Sequence, residues 1–207
     1  MTEPQPTVFV IDDDASMRRA LSYLLVAAGY KVETYSSAKA FLARENYEGV
    51  GCILLDVRMP GLSGMELQEK LIRSAQSMPI IFLTGHGEVA TGVQAMKKGA
   101  VDFLTKPCDD EQLLAAIRTA TAKAEQARAH LEEAKEISSR IGLLTPREKE
   151  VLRYVITGML NKQIAGRLGV AEITVKIHRG RIMQKLSTES VADLVRLAEK
   201  AGIEPSA

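Results

Sequence analysis

Five short apolar runs alternate with helix-patterned segments in the first half of the chain, and this alternation constrains the fold most strongly. The strand-like runs occupy residues 7–12, 31–35, 51–56, 79–84 and 101–107. The helix-patterned segments occupy residues 16–30, 38–45, 64–74 and 89–99, and a fifth begins near Asp109 or Asp110. Runs that stay apolar without alternation are typical of strands covered on both faces. We therefore predict an α/β domain with a five-stranded parallel sheet, doubly wound by helices on both sides.

The second half of the chain is helical by pattern. Residues 111–141 contain neither Gly nor Pro and are rich in good helix formers. We expect a long helix there, with a loose linker as the alternative. Four further helices are predicted at about 146–158, 161–168, 172–186 and 190–201, the first opening with the capping box TPRE. The predicted organisation is an α/β domain at 6–122, a linker helix at 123–141 and an all-α four-helix domain at 142–207.

Charge is distributed unevenly along a chain whose net charge is +1. Residues 1–122 carry 12 basic and 15 acidic side chains, whereas residues 141–207 carry 11 basic and 7 acidic ones. The excess of basic side chains in residues 141–207 favours a polyanion-binding rear domain. No run approaches the roughly 20 apolar residues that span a bilayer, and no signal-peptide pattern opens the chain. We expect a cytoplasmic protein with no membrane partner.

Cysteine and histidine are sparse. The two cysteines, Cys52 and Cys108, lack the spacing of a paired motif, and we expect free thiols. The three histidines, His86, His130 and His178, lie far apart and show no metal-ligand spacing. A zinc site is therefore not expected.

Acidic residues leave the predicted strands at their carboxyl ends. Asp12, Asp13 and Asp14 follow the first strand and Asp56 ends the third, while Thr84 and Lys106 end the fourth and fifth. Parallel strands bring these ends to one edge of the sheet. Clustered carboxylates need a cation among them, and Mg²⁺ (or Mn²⁺) prefers such oxygen ligands. A carboxylate beside the metal can attack a phosphoryl group, with Lys106 neutralising charge. Asp14 has an equally good interpretation as a solvated cap.

An aspartate-nucleophile phosphatase or phosphomutase is the rival class. Enzymes of that class carry the motif DxDx(T/V) directly after a strand, with a second carboxylate two residues beyond the nucleophile. Here Val57 and Arg58 follow Asp56, so the general acid is missing. We therefore expect a phosphoacceptor rather than an enzyme, limited to self-phosphorylation and slow self-dephosphorylation.

The segments VIDDD, LLDVRMPG, FLTGHG and FLTKP, in this register, resemble the receiver domain of bacterial response regulators, which has a flavodoxin-like fold. The resemblance implies that Asp56 accepts a phosphoryl group from a sensor histidine kinase. It implies that Asp12, Asp13, Asp56 and the backbone carbonyl of Arg58 hold the metal. It also implies that Thr84 is the switch hydroxyl and that Lys106, before a cis Pro107, pairs with the phosphoryl group. Phe103 matches an aromatic switch position, but a core role is equally expected.

Residues 161–186 show a helix, a short turn at Gly169 and a second helix with a basic outer face. Such a helix on a small scaffold suits the major groove of DNA. Together, LTPREKEVL, NKQIAGRLGV and TVKIHRGRIMQKL resemble the LuxR-type domain of the NarL/FixJ regulators, and TGHG at 84–87 favours the FixJ-like subgroup. The candidate DNA contacts are Thr174, Lys176, Ile177, His178, Arg179, Arg181 and Lys185. For His178 a partly buried or solvated role is at least as well supported.

Two positions depart from the resembled pattern. Gly180 stands where related proteins can place a longer side chain, so one base contact is expected to be absent. Ala171 stands where a capping Ser is common. The last helix, with Leu194, Val195, Leu197 and Ala198, resembles the family's dimer face, and plain core packing is the alternative.

The resemblance predicts a transcriptional response regulator. Its implied partners are a sensor histidine kinase, promoter DNA and RNA polymerase, with a homodimer forming on phosphorylation, and we expect activation of transcription. Constitutive DNA binding with a scaffolding front domain remains an alternative. An RNA-binding antiterminator is disfavoured, because its output helices lack this basic pattern.

Overall fold

The structure is a computed structural model that describes residues 5–74, 78–85 and 89–206. The chain divides into two compact units, Met1–Arg128 and Ala129–Ala207. Each unit is built around its own hydrophobic core.

The first unit contains a five-stranded parallel sheet, as the sequence predicts. Its strands are β1 (Thr7–Ile11), β2 (Lys31–Tyr35), β3 (Gly51–Asp56), β4 (Ile80–Thr84) and β5 (Asp102–Thr105). They lie in the order β2-β1-β3-β4-β5, which places β1 and β3 side by side at the point where the strand order reverses. Strands β1, β3 and β4 are wholly buried, which explains their uninterrupted apolar sequences.

Helices cover both faces of the sheet. In this unit they are α1 (Ala15–Ala27), α2 (Ala38–Leu42), α3 (Gly64–Arg73), α4 (Val89–Lys97) and the start of α5 (Asp110–Gly142). One core layer packs Phe41 and Leu67 against the sheet, and the other packs Leu25 and Ile117 against the opposite face. The predicted doubly wound architecture is confirmed.

Several predicted ends are too long. The α1 helix stops at Ala27 because Gly29, with φ of 87°, turns the chain toward β2. The α2 helix ends at Leu42, three residues before the predicted end, with Ala43 as its C-cap. The strand predicted over 101–107 is confined to Asp102–Thr105.

The second unit consists of helices packed around one core. They are α6 (Pro146–Val155), α7 (Asn161–Leu168), α8 (Glu172–Leu186) and α9 (Val191–Lys200). The capping box of α6 is formed as predicted, with Thr145 as the cap and Glu148 reaching back. This helix ends before the predicted residue 158, because Gly158 has a φ of 85° and closes a turn.

The predicted long helix is present as α5, which runs from Asp110 to Gly142. Its first turns carry the buried side chains of Leu113, Ile117 and Ala120, and a turn near its end carries buried Ile137. Residues 129–136 between them are exposed. Among the described residues, no helix is long and apolar enough to cross a membrane. Cys52 and Cys108 are free thiols, as expected.

Candidate phosphorylation site and DNA-binding helix

The carboxyl edge of the sheet gathers the predicted polar residues. Asp56 is the last residue of β3 and pairs in register with Leu83, the neighbour of Thr84. Asp12 directly follows β1, and Lys106 directly follows β5. The backbone N–H of Lys106 donates to the Thr84 carbonyl oxygen at 2.6 Å, so the last two strands stay joined beyond their ends.

Lys106 is the centre of this cluster. Its Nζ donates to Asp56 Oδ1 at 2.6 Å and to Asp12 Oδ2 at 2.7 Å. Both carboxylates are buried, with Asp12 only 2% exposed and Asp56 7% exposed. The ammonium group therefore compensates two carboxylates that water barely reaches. The Lys106–Pro107 peptide bond is cis, as the resemblance implied.

Burial and ion pairing act in opposite directions on the pKa values of Asp56 and Lys106. Burial raises the pKa of Asp56; the hydrogen bond and charge of Lys106 oppose this rise, Asp12 reinforces it, and the net direction is upward. Burial alone would lower the pKa of Lys106, but its bonds to Asp12 and Asp56 outweigh burial and leave that pKa raised. Lys106 is thus held as a cation, while Asp56 carries an incompletely compensated charge.

The three consecutive aspartates occupy different environments. Asp12 points into the cluster, and its Oδ1 also accepts the backbone N–H of Asp14 at 2.8 Å. Asp13 is exposed beside the cluster. Asp14 is the N-cap of α1, where its carboxylate accepts the N–H groups of Ser16 and Met17. These bonds lower the pKa of Asp14, and the capping interpretation therefore accounts for this residue.

The donor set fits a hard divalent cation such as Mg²⁺. Over the part of the chain that the structure describes, no group of three or more His, Cys, Asp or Glu side chains is placed so that it could hold a metal ion. Mg²⁺ does not need such a group, because it keeps several waters and takes one or two carboxylates plus phosphate oxygens. Buried Asp12 and Asp56 with exposed Asp13 alongside match that requirement.

The remaining predicted residues lie around this cluster. The backbone N–H of Arg58 hydrogen-bonds to the Asp56 carboxylate, and the Arg58 side chain is exposed. Thr84 is buried. Phe103 is half-buried and packs against Phe82, with ring centroids 6.2 Å apart, which is compatible with either a switch or a core role. Of the TGHG segment, His86 and Gly87 lie outside the described residues.

The α8 helix has one buried and one open face. Val175, Ile182 and Leu186 point into the core. The exposed positions include three candidate contacts, Lys176, Ile177 and Arg181. Thr174, His178 and Arg179 are partly buried, and His178 Nδ1 has no hydrogen-bond partner among the described residues.

Two of the basic candidates are engaged inside the domain. Arg179 donates to Asn161 Oδ1 at 3.0 Å and to the Met159 carbonyl oxygen, which braces α8 against the start of α7. Lys185 donates to Glu148 Oε2 at 2.7 Å and to the Leu143 carbonyl oxygen at 3.1 Å. Its ammonium group is therefore directed to α6 rather than to the open face of α8, and we correct its inclusion among the DNA contacts.

The environments of two residues of this domain do not follow from the sequence pattern. Glu148 is almost fully buried; its capping role was visible in TPRE, but its pairing with Lys185 depends on tertiary packing. Ile173 is 62% exposed on α8, where an apolar residue is expected to face the core. Its spacing of four from Ile177 was the available signal. In α9, Leu194 and Ala198 are core residues rather than dimer-face residues, whereas Val195 and Leu197 are partly exposed.

The sheet edge and the helical domain together define a receiver joined to a helix-turn-helix output domain. Residues 8–118 match the response regulator receiver domain, and residues 142–198 match the bacterial regulatory proteins of the luxR family. The chain belongs to the response regulators with a LuxR-type DNA-binding domain, and it is a DNA-binding transcriptional response regulator. Its two domains imply a histidine kinase and promoter DNA as partners.

Full-length relatives agree with this assignment. The chain is 46% identical to nodulation protein W of Bradyrhizobium diazoefficiens, covering 95% of this chain and 86% of that protein. It is 42% identical to the transcriptional regulatory protein FixJ of the same organism, covering 95% and 96%. The solved structure of response regulator StyR is 48% identical, with a TM-score of 0.89, covering 95% of this chain and all of that one.

Proposed function

We propose that Asp56 is the phosphoacceptor of this regulator. The observation that carries the proposal is the position of Lys106, whose Nζ lies 2.6 Å from Asp56 Oδ1 at the open edge of the sheet. An Asp56 oxygen forms a bond to phosphorus, the phosphorus–nitrogen bond of the kinase phosphohistidine breaks, and the imidazole takes up a proton. Lys106 stabilises the charge that develops on the phosphoryl oxygens.

Neighbouring groups position the phosphoryl group. Thr84, which ends β4, would donate a hydrogen bond from its hydroxyl to a phosphoryl oxygen. Phe103 would change its position when Thr84 moves to make this bond. Asp12, Asp13, Asp56 and the Arg58 carbonyl would hold Mg²⁺ (or Mn²⁺), which when bound neutralises the charge shared by the carboxylates and the phosphoryl oxygens.

Intact mass spectrometry tests the acceptor. After incubation with acetyl phosphate and Mg²⁺, the wild-type protein should gain the mass of one phosphoryl group and Asp56→Ala should gain none. A gain that persists in Asp56→Ala would move the nucleophile to another residue. The proposed chemistry of this regulator is limited to self-phosphorylation and slow self-dephosphorylation. Multiple turnovers on small phosphate esters would contradict this proposal and indicate an enzyme.

We propose that α8 enters the major groove through its open face. The contacts assigned to DNA are Thr174, Lys176, Ile177, His178, Arg179 and Arg181, with Arg179 also bracing α7. The excess of 11 basic over 7 acidic residues in 141–207 supports attraction to the phosphate backbone. This output domain, at 142–207, would act in the cytoplasm, where promoter DNA and RNA polymerase are found.

Phosphorylation of the receiver, at 6–122, would promote a homodimer, strengthen promoter binding and activate transcription. A mobility-shift titration with and without a phosphoryl donor tests this switch, and tighter binding is expected with the donor. Equal affinity in both states would instead favour constitutive binding with a scaffolding receiver.

A further inference from the structure

The open face of α8 carries two large aliphatic side chains where solvent-facing positions are normally polar. Ile173 is 62% exposed and Ile177 is 48% exposed. A spacing of four residues puts them side by side on the helix surface. Neither belongs to the hydrophobic core of the domain, which already takes Val175, Ile182 and Leu186 from the opposite face of this helix.

Gly180 continues the same face, three residues beyond Ile177. A Cβ at this position would meet no atom within 4 Å, so packing does not require glycine. Glycine in a helix interior is less favourable than alanine. The aliphatic pair therefore stands next to a position with no side chain, where a ligand can approach the helix backbone closely.

The chemistry of the ligand follows from this surface. Isoleucine offers no hydrogen bond, so it discriminates only through apolar contact. In the major groove the apolar group that distinguishes one base pair from another is the C5-methyl of thymine. Exposed Lys176 and Arg181 flank the pair and supply charge for the phosphate backbone.

We propose that Ile173 and Ile177 together contact thymine methyl groups in the major groove, next to Gly180, where the helix has no side chain. This inference rests on the proposed entry of α8 into the major groove. It adds Ile173 to the DNA contacts and assigns a base preference to both isoleucines. Each half-site then carries A·T pairs whose thymine methyl groups face this pair.

Uracil substitution isolates the methyl group, because uracil keeps the pairing of thymine and lacks only the C5-methyl. The full-length protein, treated with acetyl phosphate and Mg²⁺, is first used to select binding duplexes from a randomised library. Each thymine of a selected duplex is then replaced singly by uracil and the Kd is measured. We expect about a four-fold loss of affinity at one or two positions per half-site, or about 0.8 kcal/mol each.

Alanine variants show which of the two isoleucines contacts each thymine methyl group. Ile173→Ala and Ile177→Ala should each bind the thymine duplex more weakly and lose the uracil effect at one position, retaining it at the other. Ile72→Ala is the matched control, since Ile72 is 55% exposed on α3 of the receiver, and its uracil profile should equal the wild type. Circular dichroism checks that each variant is folded.

The outcomes separate this inference from the proposed function. A selected duplex with a flat uracil profile in the wild type would refute methyl reading while leaving DNA recognition by α8 standing. A uracil effect that survives unchanged in both alanine variants would assign the methyl groups to other residues and also refute it. Failure to enrich any duplex would overturn sequence-specific DNA recognition, and this inference with it.

Discussion

The ionised Asp56 carboxylate is costly to the folded receiver, because burial raises its pKa above the usual aspartate value and Lys106 compensates only in part. Asp56→Asn removes this cost and should raise the free energy of unfolding at pH 7 in metal-free buffer. The folded-state pKa lies above the unfolded value, so the cost is present at neutral pH and disappears below the unfolded pKa. Urea unfolding at pH 7 and near pH 3 should show the gain shrinking with acid.

Glu48→Gln is the control for this prediction, because Glu48 is exposed and its neutralisation should leave stability unchanged at both pH values. An Asp56→Asn protein that is less stable than the wild type at pH 7 would show that the Lys106 contact outweighs burial.

Two lysines of α8 should separate stability from DNA binding. Lys185 bonds buried Glu148, whereas Lys176 is exposed. Lys185→Met should lower the free energy of unfolding of the output domain by about 1–3 kcal/mol, as expected when a hydrogen bond to a buried charge is lost. Lys176→Met should change stability by less than about 0.5 kcal/mol but weaken DNA binding and reduce the salt slope by about one.

The stability effect at Lys185 depends on pH in a defined sense. The Lys185 hydrogen bond is the largest cause that lowers the pKa of Glu148, and bonds from Thr145 add to it. A lowered folded-state pKa contributes stability above the unfolded value that is lost as pH falls through the folded pKa. The deficit of Lys185→Met should therefore narrow on acidification below about pH 4.5. A deficit that widens with acid would contradict the pairing.

These residues mark the limit of prediction from sequence. Asp12, Asp56, Thr84 and Lys106 could be placed together because strand ends in a parallel sheet share one edge. Lys185 could not be placed, because helical spacing gives its direction only approximately and says nothing of an acid 37 residues away.

At the scale of elements, the junction between β3 and α3 fixes the position of Asp56. The backbone N–H of Gly64, the first residue of α3, donates to the Val57 carbonyl oxygen at 3.0 Å. A Cβ at Gly64 would overlap the Asp56 carbonyl oxygen and crowd Leu55. Gly64→Ala should push α3 away, destabilise the receiver by about 1–3 kcal/mol and slow phosphoryl uptake from acetyl phosphate.

Gly166→Ala in α7 is the matched control, because a Cβ there meets nothing within 4 Å. It should stabilise the output domain by about 0.5–1 kcal/mol and leave phosphoryl uptake unchanged. Normal uptake and stability in Gly64→Ala would mean that α3 is not held against the end of β3.

The start of α8 lacks a side-chain cap. Ala171 is the N-cap residue, with φ of −71° and ψ of 147°, and no side chain caps the helix there. This extended backbone suits serine, so Ala171→Ser should raise the free energy of unfolding of the output domain by about 1 kcal/mol. Denaturant unfolding measures this gain, and Ala171→Val, which adds no acceptor, should show none. An equal gain in both variants would exclude capping as the cause.

The sequence predicts that a helix is present more reliably than it predicts where the helix ends. The bounds of α7 and α8 agree with the predicted 161–168 and 172–186, because Gly169 and the basic–apolar pattern delimit them clearly. The ends of α1 and α6 were overestimated, because apolar residues continue into the turns that Gly29 and Gly158 close.

At the scale of the whole molecule, α5 supplies one continuous helix to both compact units. Its first turns are buried by the receiver core, and Ile137 belongs to the buried residues near its other end. Residues 129–136 between these regions are all exposed. Since no side chain of this stretch is buried, its helical state depends on the propensity of its residues and on exposed ion pairs such as that between Glu133 and Lys200. The sequence indicated the helix itself, through the absence of Gly and Pro, but not which of its turns would be buried.

Paired glycine substitutions in this stretch should open it locally without unfolding either unit. Each of Ala129→Gly and Ala134→Gly costs about 1 kcal/mol of helix stability, so the double variant should raise local opening by about ten-fold or more. Limited trypsin digestion should then cleave faster at Arg128 or Lys135 and release two protease-resistant fragments, because cleavage follows the population of the open state. Phosphoryl uptake from acetyl phosphate should be unchanged.

Ala120→Gly is the control for burial, because Ala120 is fully buried in the receiver core. It should lower the stability of the receiver and promote cleavage throughout that unit, with no selective effect at Arg128 or Lys135. If the double variant were instead cleaved no faster than the wild type, residues 129–136 would be stabilised by more than their own helix propensity. The ion pair between Glu133 and Lys200 of α9 would then be the first candidate for that added stability, because no side chain of residues 129–136 is buried.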